Sequence, residues 1–179
     1  MPRSPLLLDA CVAINLAATD QLQQIALATD VTFILVRQAA REVGHLRDVS
    51  EGETILTPIG LSQYDSTTLE IVGLAQPEYS LYVNLARTVD DGEAATIAVA
   101  VNRSLRLATD DRKARRVCAE LGVPEPTRTL GILHSYEDAV SLPQAQLREI
   151  LVKVRDRASF QPPRNDPDQK WWQDNINDP

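Results

Sequence analysis

The chain has 179 residues, of which 44% are hydrophobic, so it can bury one substantial core, and its length favours one globular domain over two. Eighteen basic against 25 acidic residues leave a formal net charge of -7, which excludes a protein that coats nucleic acid through bulk positive charge. An enzyme whose acids hold cations, and which touches phosphates through them and through a local basic patch, remains compatible with that balance.

In chain order, "PLLLDA" is a short apolar run, followed by a helical pattern through Leu16 and a second helix over Gln21 to Ala28. "VTFILV" has strand length and β-rich composition, and "RQAAREVGHL" after it has helical spacing that stops near Gly44. Residues 48 to 63 carry a weak signal with one short strand at "TILTPI", and residues 66 to 76 and 78 to 88 read as two helices separated near Pro77. "DDGEAATIAVAVN" is a compact helix, "LRLAT" a strand, and "DRKARRVCAELG" a helix ending at Gly122. "VPEP" with "TRTLGILHSYEDAV" suggests a short edge strand and another helix, and a polar amphipathic helix covers 143 to 158. From Ser159 the composition turns to proline and aspartate with Phe160, Trp171 and Trp172, which reads as an extended tail whose large apolar groups dock on this domain, a second copy or another protein. Alternation of strands and helices favours a parallel sheet covered by helices.

Aromatics are only 4% and both tryptophans lie in the tail, so no interleaved stacking platform for single strands is visible. Cys11 and Cys118 are isolated, fit no disulfide framework or metal pattern, and suit a reducing cytoplasm as small packing residues. His45 and His134 are too few and too far apart for a histidine metal site. No window approaches the roughly 20 apolar residues that a membrane span needs, so a soluble, unexported protein with no membrane partner is expected.

Carboxylates fall where chemistry can use them. Asp9 closes the first strand, Glu42 sits in the helix after the second, Glu93 lies in the first turn of the alanine-rich helix, and Asp110 and Asp111 close "LRLAT". In open α/β sheets the ligand crevice lies beyond the carboxyl ends of the strands, where Asp9 and the Asp110/Asp111 pair converge. Clustered carboxylates repel unless a cation intervenes, and oxygen-only ligation suits Mg²⁺ or Mn²⁺ rather than Zn²⁺. Such a site activates water for in-line attack on a phosphodiester, and Arg112, Lys113, Arg115 and Arg116 are placed to hold flanking phosphates. Each acid also has a plainer reading. Asp110 suits an N-cap with Asp111 in the first helical turn, Asp90 and Glu93 are spaced as a capping box, Asp9 caps the helix from Ala10, and Glu42 suits an exposed helix position.

The ordered series "LLLDACVAINL", "VRQAAREV", "DDGEAATIAVA" and "LRLATDDRKARR" resembles the PIN-domain ribonucleases, especially stand-alone bacterial proteins similar to VapC-type toxins, over roughly residues 5 to 138. The resemblance implies a three-layer α/β/α fold with a central, mostly parallel sheet, a nuclease domain over 1–141, a C-terminal helix over 142–158 and a tail over 159–179. It assigns Asp9, Glu42, Glu93 and Asp111 as the four acids, with Asp110 sharing the metal role and Asp91, Asn15 and Thr109 supporting. It further implies Mg²⁺- or Mn²⁺-dependent cleavage of RNA, a cognate antitoxin and a homodimer. The chain departs from the family's pattern at Ala10 and Cys11, where a small hydroxyl or amide residue is usual, and at Arg37, where proline is common. Two other readings stay open: a non-catalytic module that binds RNA or protein, and a phosphotransfer domain with Asp9 as nucleophile.

Overall fold

The computed structural model describes residues 3–177. Its elements in chain order are β1 (Ser4–Leu8), α1 (Ala10–Ala18), α2 (Leu22–Ala28), β2 (Val31–Val36), α3 (Arg37–Glu42), β3 (His45–Ser50), β4 (Glu53–Pro58), β5 (Leu69–Val72), α4 (Tyr79–Leu85), α5 (Asp91–Arg103), β6 (Arg106–Ala108), α6 (Arg112–Glu120), α7 (Thr129–Val140), α8 (Gln144–Arg157) and α9 (Gln169–Ile176). The main sheet has the order β5-β2-β1-β6, and every pairing in it is parallel, with Leu8 opposite Leu35 on one side and Ala108 on the other.

β1 and β2 are continuous apolar runs because both faces of the sheet are covered. Alternate side chains sort to the two faces. Leu6, Leu8, Phe33 and Leu35 pack into a core shared with α1, α2, α7, α8 and α9. Leu7, Ile34, Val36 and Leu107 enter a second core with α5 and α6, and with Leu85 at the end of α4. Two cores separated by one parallel sheet make the expected three layers. The alanine-rich face of α5, with Ala94, Ala95 and Ala98 fully buried, lets that helix lie close against the sheet.

Several expectations are corrected. The segment 66–76 is not a helix: it holds β5 and leads to a 3₁₀ turn over Gln76–Glu78. Asp65 starts this segment with a turn, its Oδ1 accepting from the amides of Thr67 and Thr68, both at 2.9 Å, and the strand is then fixed by pairing Leu69 with Phe33. Tertiary pairing overrides a short helical pattern here. In the weak segment 48–63 the strand expected at "TILTPI" is present as β4, but it is half of an antiparallel hairpin with β3, separate from the main sheet. Glu51 and Gly52, with φ of 53° and 83°, form its two-residue connection, the geometry whose twist matches antiparallel strands. The edge strand after "VPEP" reduces to one parallel bridge, Ala108 to Thr127.

The tail is not extended. Residues 169–176 form α9, because Trp172 and Ile176, four positions apart, bury one helical face at 5% and 6% exposure. Phe160 meets Trp172 edge-on with ring centroids 5.7 Å apart. No helix among the described residues is long and apolar enough to cross a membrane.

Candidate active site

The chain leaving β1 and β6 at the carboxyl edge of the sheet, the end of α3 and the amino end of α5 enclose an open cleft of about 490 Å³. Asp9, Glu42, Asp90, Glu93, Asp110 and Asp111 line it, together with Ala10, Cys11 and Ile14, and among the described residues no lysine, arginine or histidine does. The sheet brings the outer members together: the Asp9 amide donates to the Ala108 carbonyl at 3.0 Å, so the end of β1 and the Asp110/Asp111 pair are direct neighbours.

Asp9 is 4% exposed and caps α1, its Oδ1 accepting from the Ala10 amide at 2.7 Å. Its Oδ2 accepts from the Cys11 thiol at 3.1 Å and the Thr109 hydroxyl at 3.0 Å. Cys11 is therefore more than packing, since its thiol is one of the three donors to the Asp9 carboxylate. Burial still pushes the Asp9 carboxyl above its ordinary range against these three donors, with a smaller push from Asp90. The Cys11 thiol is likewise pushed up, by burial first and Asp9 next.

Glu42 ends α3, and its Oε1 accepts from the Gly92 amide at 2.8 Å. Gly92 makes that approach possible, because a Cβ there would stand 2.5 to 2.7 Å from the Glu42 carboxyl atoms. Burial and then the Asp90 charge, among others, raise the Glu42 carboxyl.

Asp90 caps α5 by accepting from the Glu93 amide at 2.8 Å. The reciprocal half of a capping box is missing: the Glu93 carboxylate makes no hydrogen bond or ion pair among the described residues, and it faces the cleft. Burial, then the charges of Asp90, Asp9 and Asp111, push its carboxyl up to about 7.

Asp110 and Asp111 divide the work. Asp111, not Asp110, caps α6, with its Oδ1 accepting from the amides of Lys113 at 2.7 Å and Ala114 at 2.8 Å. That correction follows from α6 starting at Arg112, one residue later than Asp110 could cap. Asp110 is tied to α7 instead: it accepts from the Thr129 amide at 3.0 Å, the Thr129 hydroxyl at 2.6 Å and the Asn15 side-chain amide at 3.1 Å. Asn15 and Thr109 are thus both neighbours of cleft acids, Thr109 also accepting from the Asp111 amide at 3.1 Å.

Asp91 is the exception among the expected residues. It does not line the cleft and pairs with the Tyr82 hydroxyl, because the first turn of α5 points successive side chains in different directions. Asp90, its neighbour, occupies the cleft in its place. Arg112, Lys113, Arg115 and Arg116 lie along α6 outside the cleft lining; the first two and Arg116 are exposed, and the buried Nε of Arg115 has no partner among the described residues. Asp90, Gly92 and Thr129 were not singled out as site residues from sequence. A glycine inside the helical pattern "DDGEAA" is the local signal that marks a close approach, whereas Thr129 touches Asp110 across 19 positions and has no local signal.

No three or more His, Cys, Asp or Glu side chains among the described residues are gathered closely enough to hold a metal ion as they stand. The donor chemistry nevertheless fits a hard cation: six carboxylates and no cationic side chain line the cleft, and the unpartnered Glu93 carboxylate faces it. Carboxylates whose protons are held by burial and mutual repulsion release them when a cation takes their place.

Fold and site define an α/β protein with an acidic cleft at the carboxyl edge of a parallel sheet. A family model described as a PIN domain matches residues 6–164. The chain belongs to the PIN-domain family, whose fold is that of nucleases. A search of curated proteins finds no match.

Proposed function

We propose that this protein is a divalent-cation-dependent endoribonuclease. The observation that carries the reading is the cleft itself, in which Asp9, Glu93 and the Asp110/Asp111 pair from separate chain segments face one space with no basic residue among them. Asp9, Glu93, Asp110 and Asp111 are the residues that would hold Mg²⁺ or Mn²⁺, and Glu42 completes the acidic wall. The bound cation supplies an activated water and charge stabilisation at phosphorus. The chain's own residues then do the rest. Thr109 and Cys11 fix the Asp9 carboxylate by donating to its Oδ2, Gly92 fixes Glu42, and Thr129 with Asn15 fixes Asp110. Glu93, free of internal partners among the described residues, keeps its carboxylate open to the cleft and to a cation there. The basic face of α6 beside the cleft suits phosphates flanking the scissile bond.

The toxin of a type II toxin–antitoxin pair, binding a cognate antitoxin and forming a homodimer, is the narrower form of this reading. Growth arrest on expression, relieved by the product of a small neighbouring reading frame, is its test.

The deciding experiment incubates the purified protein with a mixed RNA pool and Mn²⁺, Mg²⁺ or EDTA, beside Asp9→Asn and Glu93→Gln. Cleavage that needs the metal and is lost in both folded variants is expected. Cleavage retained in both variants sinks the assignment, and RNA binding without cleavage by the folded wild type favours a non-catalytic binding module.

A further inference from the structure

We propose that the C-terminal segment 163–176 is a brace for the Asp110 side of the cleft, with Asp166 as a positioning residue acting through Arg128 and Thr129. The inference rests on the nuclease reading for its catalytic consequence, while the brace itself rests on geometry. Residues 165–176 lie beyond the part of the chain that the family model matches, which ends at 164.

Thr129 is fully buried and is the residue that holds Asp110, through its amide and its hydroxyl. It is fixed from both sides. On one side Thr127 bridges to the end of β6, its amide donating to the Leu107 carbonyl at 3.0 Å and its carbonyl accepting from the Thr109 amide at 3.0 Å. On the other side is Arg128, whose guanidinium donates to the Asp166 Oδ2 at 2.8 Å, with the Asp166 side chain only 7% exposed. Arg128 stands at the N-cap of α7 and makes no capping bond there. A cation at a helix amino terminus opposes the helix dipole, and Asp166 supplies the anion that offsets it.

Asp166 is itself held in place. Its Oδ1 accepts from the Asp168 amide at 2.9 Å as the chain turns into α9. α9 then grips the same helix that Arg128 begins: Trp171 stacks on His134 of α7 at 5.0 Å between ring centroids, and its indole N–H donates to Glu137 of α7 at 2.9 Å. Both ends of the contact therefore fix α7, and α7 carries the anchor of a cleft acid. A shift of about 1 Å in such an anchor is enough to cost on the order of a hundredfold in rate.

The test uses the full chain with Asp166→Asn, which keeps shape and removes charge. Metal-stimulated RNA cleavage should lose at least tenfold in kcat with KM unchanged within about twofold, and hydrogen exchange at the Thr129 amide should accelerate while protection in α5 and β1 stays. Adding Arg128→Gln to Asp166→Asn should cause no further loss, because both act through one contact. Wild-type kcat and wild-type Thr129 protection in Asp166→Asn would overturn the brace. So would additive losses, or exchange that rises throughout the sheet. If the wild type itself does not cleave RNA, the nuclease reading fails separately, and Thr129 exchange alone decides the brace.

Discussion

Replacing Gly92 with alanine separates the geometry of the cleft from the stability of the fold. A Cβ at this position meets the Glu42 carboxyl carbon and both oxygens at 2.5 to 2.7 Å. Unbonded carbon and oxygen atoms settle near 3.5 Å, so the carboxylate must retreat by roughly 1 Å and give up the Gly92 amide. The atoms in the way are the far end of a flexible side chain at the cleft edge, so the backbone need not move. Losing a charge-assisted hydrogen bond costs about 1.5–3 kcal/mol when the groups are buried, and less at this partly exposed site. Alanine for glycine within α5 returns about 0.5–1 kcal/mol. The two nearly cancel, and a melting temperature within about 4 °C of wild type is expected. Displacement of Glu42 by about 1 Å should meanwhile lower metal-dependent cleavage by about a hundredfold. Thermal melting followed by circular dichroism, with RNA cleavage on the same preparation, measures both. A folded, wild-type-stable Gly92→Ala protein with full activity would refute a role for Glu42 at its present position, and a melting temperature lowered by more than 10 °C would refute the cancellation.

Two further outcomes follow from the site. Glu93 titrates at about 7 in the folded protein against an ordinary 4.5, so between those values the folded chain holds a proton that the unfolded chain has released, and the stability of the metal-free protein falls as pH rises through that window. Melting curves from pH 5 to 8 should show that decline, Glu93→Gln should flatten it, and Mn²⁺ should raise the melting temperature more at pH 8 than at pH 5.5; an undiminished slope in Glu93→Gln contradicts the assignment. Thr109→Val removes the hydroxyl that donates to Asp9 at 3.0 Å and accepts from Asp111 at 3.1 Å. It should lower the melting temperature by about 4–8 °C, from a loss of about 2 kcal/mol, with Thr109→Ser restoring most of it; a valine variant as stable and active as wild type would show that the hydroxyl does not hold Asp9.

The three layers and the convergence of the acids were legible because both rest on local signals of adequate length. β1 and β6 are runs that end just before acids, β2 is a continuous apolar run, and α5 carries its alanine face in one uninterrupted stretch. β5 was not legible, since its four residues become a strand only through pairing with β2. Of the hairpin only β4 was legible, as the strand at "TILTPI"; β3 escaped because Leu46 is its one buried residue and no apolar face alternates along it. α9 was hidden by a proline- and aspartate-rich average that masked the four-residue spacing of Trp172 and Ile176. Within the site, Asp91 was preferred to Asp90 because sequence spacing alone does not say which carboxylate the first turn of a helix points at a neighbour. Thr129 depends wholly on where α7 lands.

The joining of β1 to β6 also sets a clock. Asp9 and Asp111 follow strands paired at Leu8 and Ala108, 100 residues apart in sequence, so a long loop must close before they meet. A growing chain that has reached only α5 already contains Asp9, Glu42, Asp90 and Glu93 but lacks β6 and the two aspartates beyond it. The full set of cleft acids is therefore present only after synthesis has passed the sixth strand.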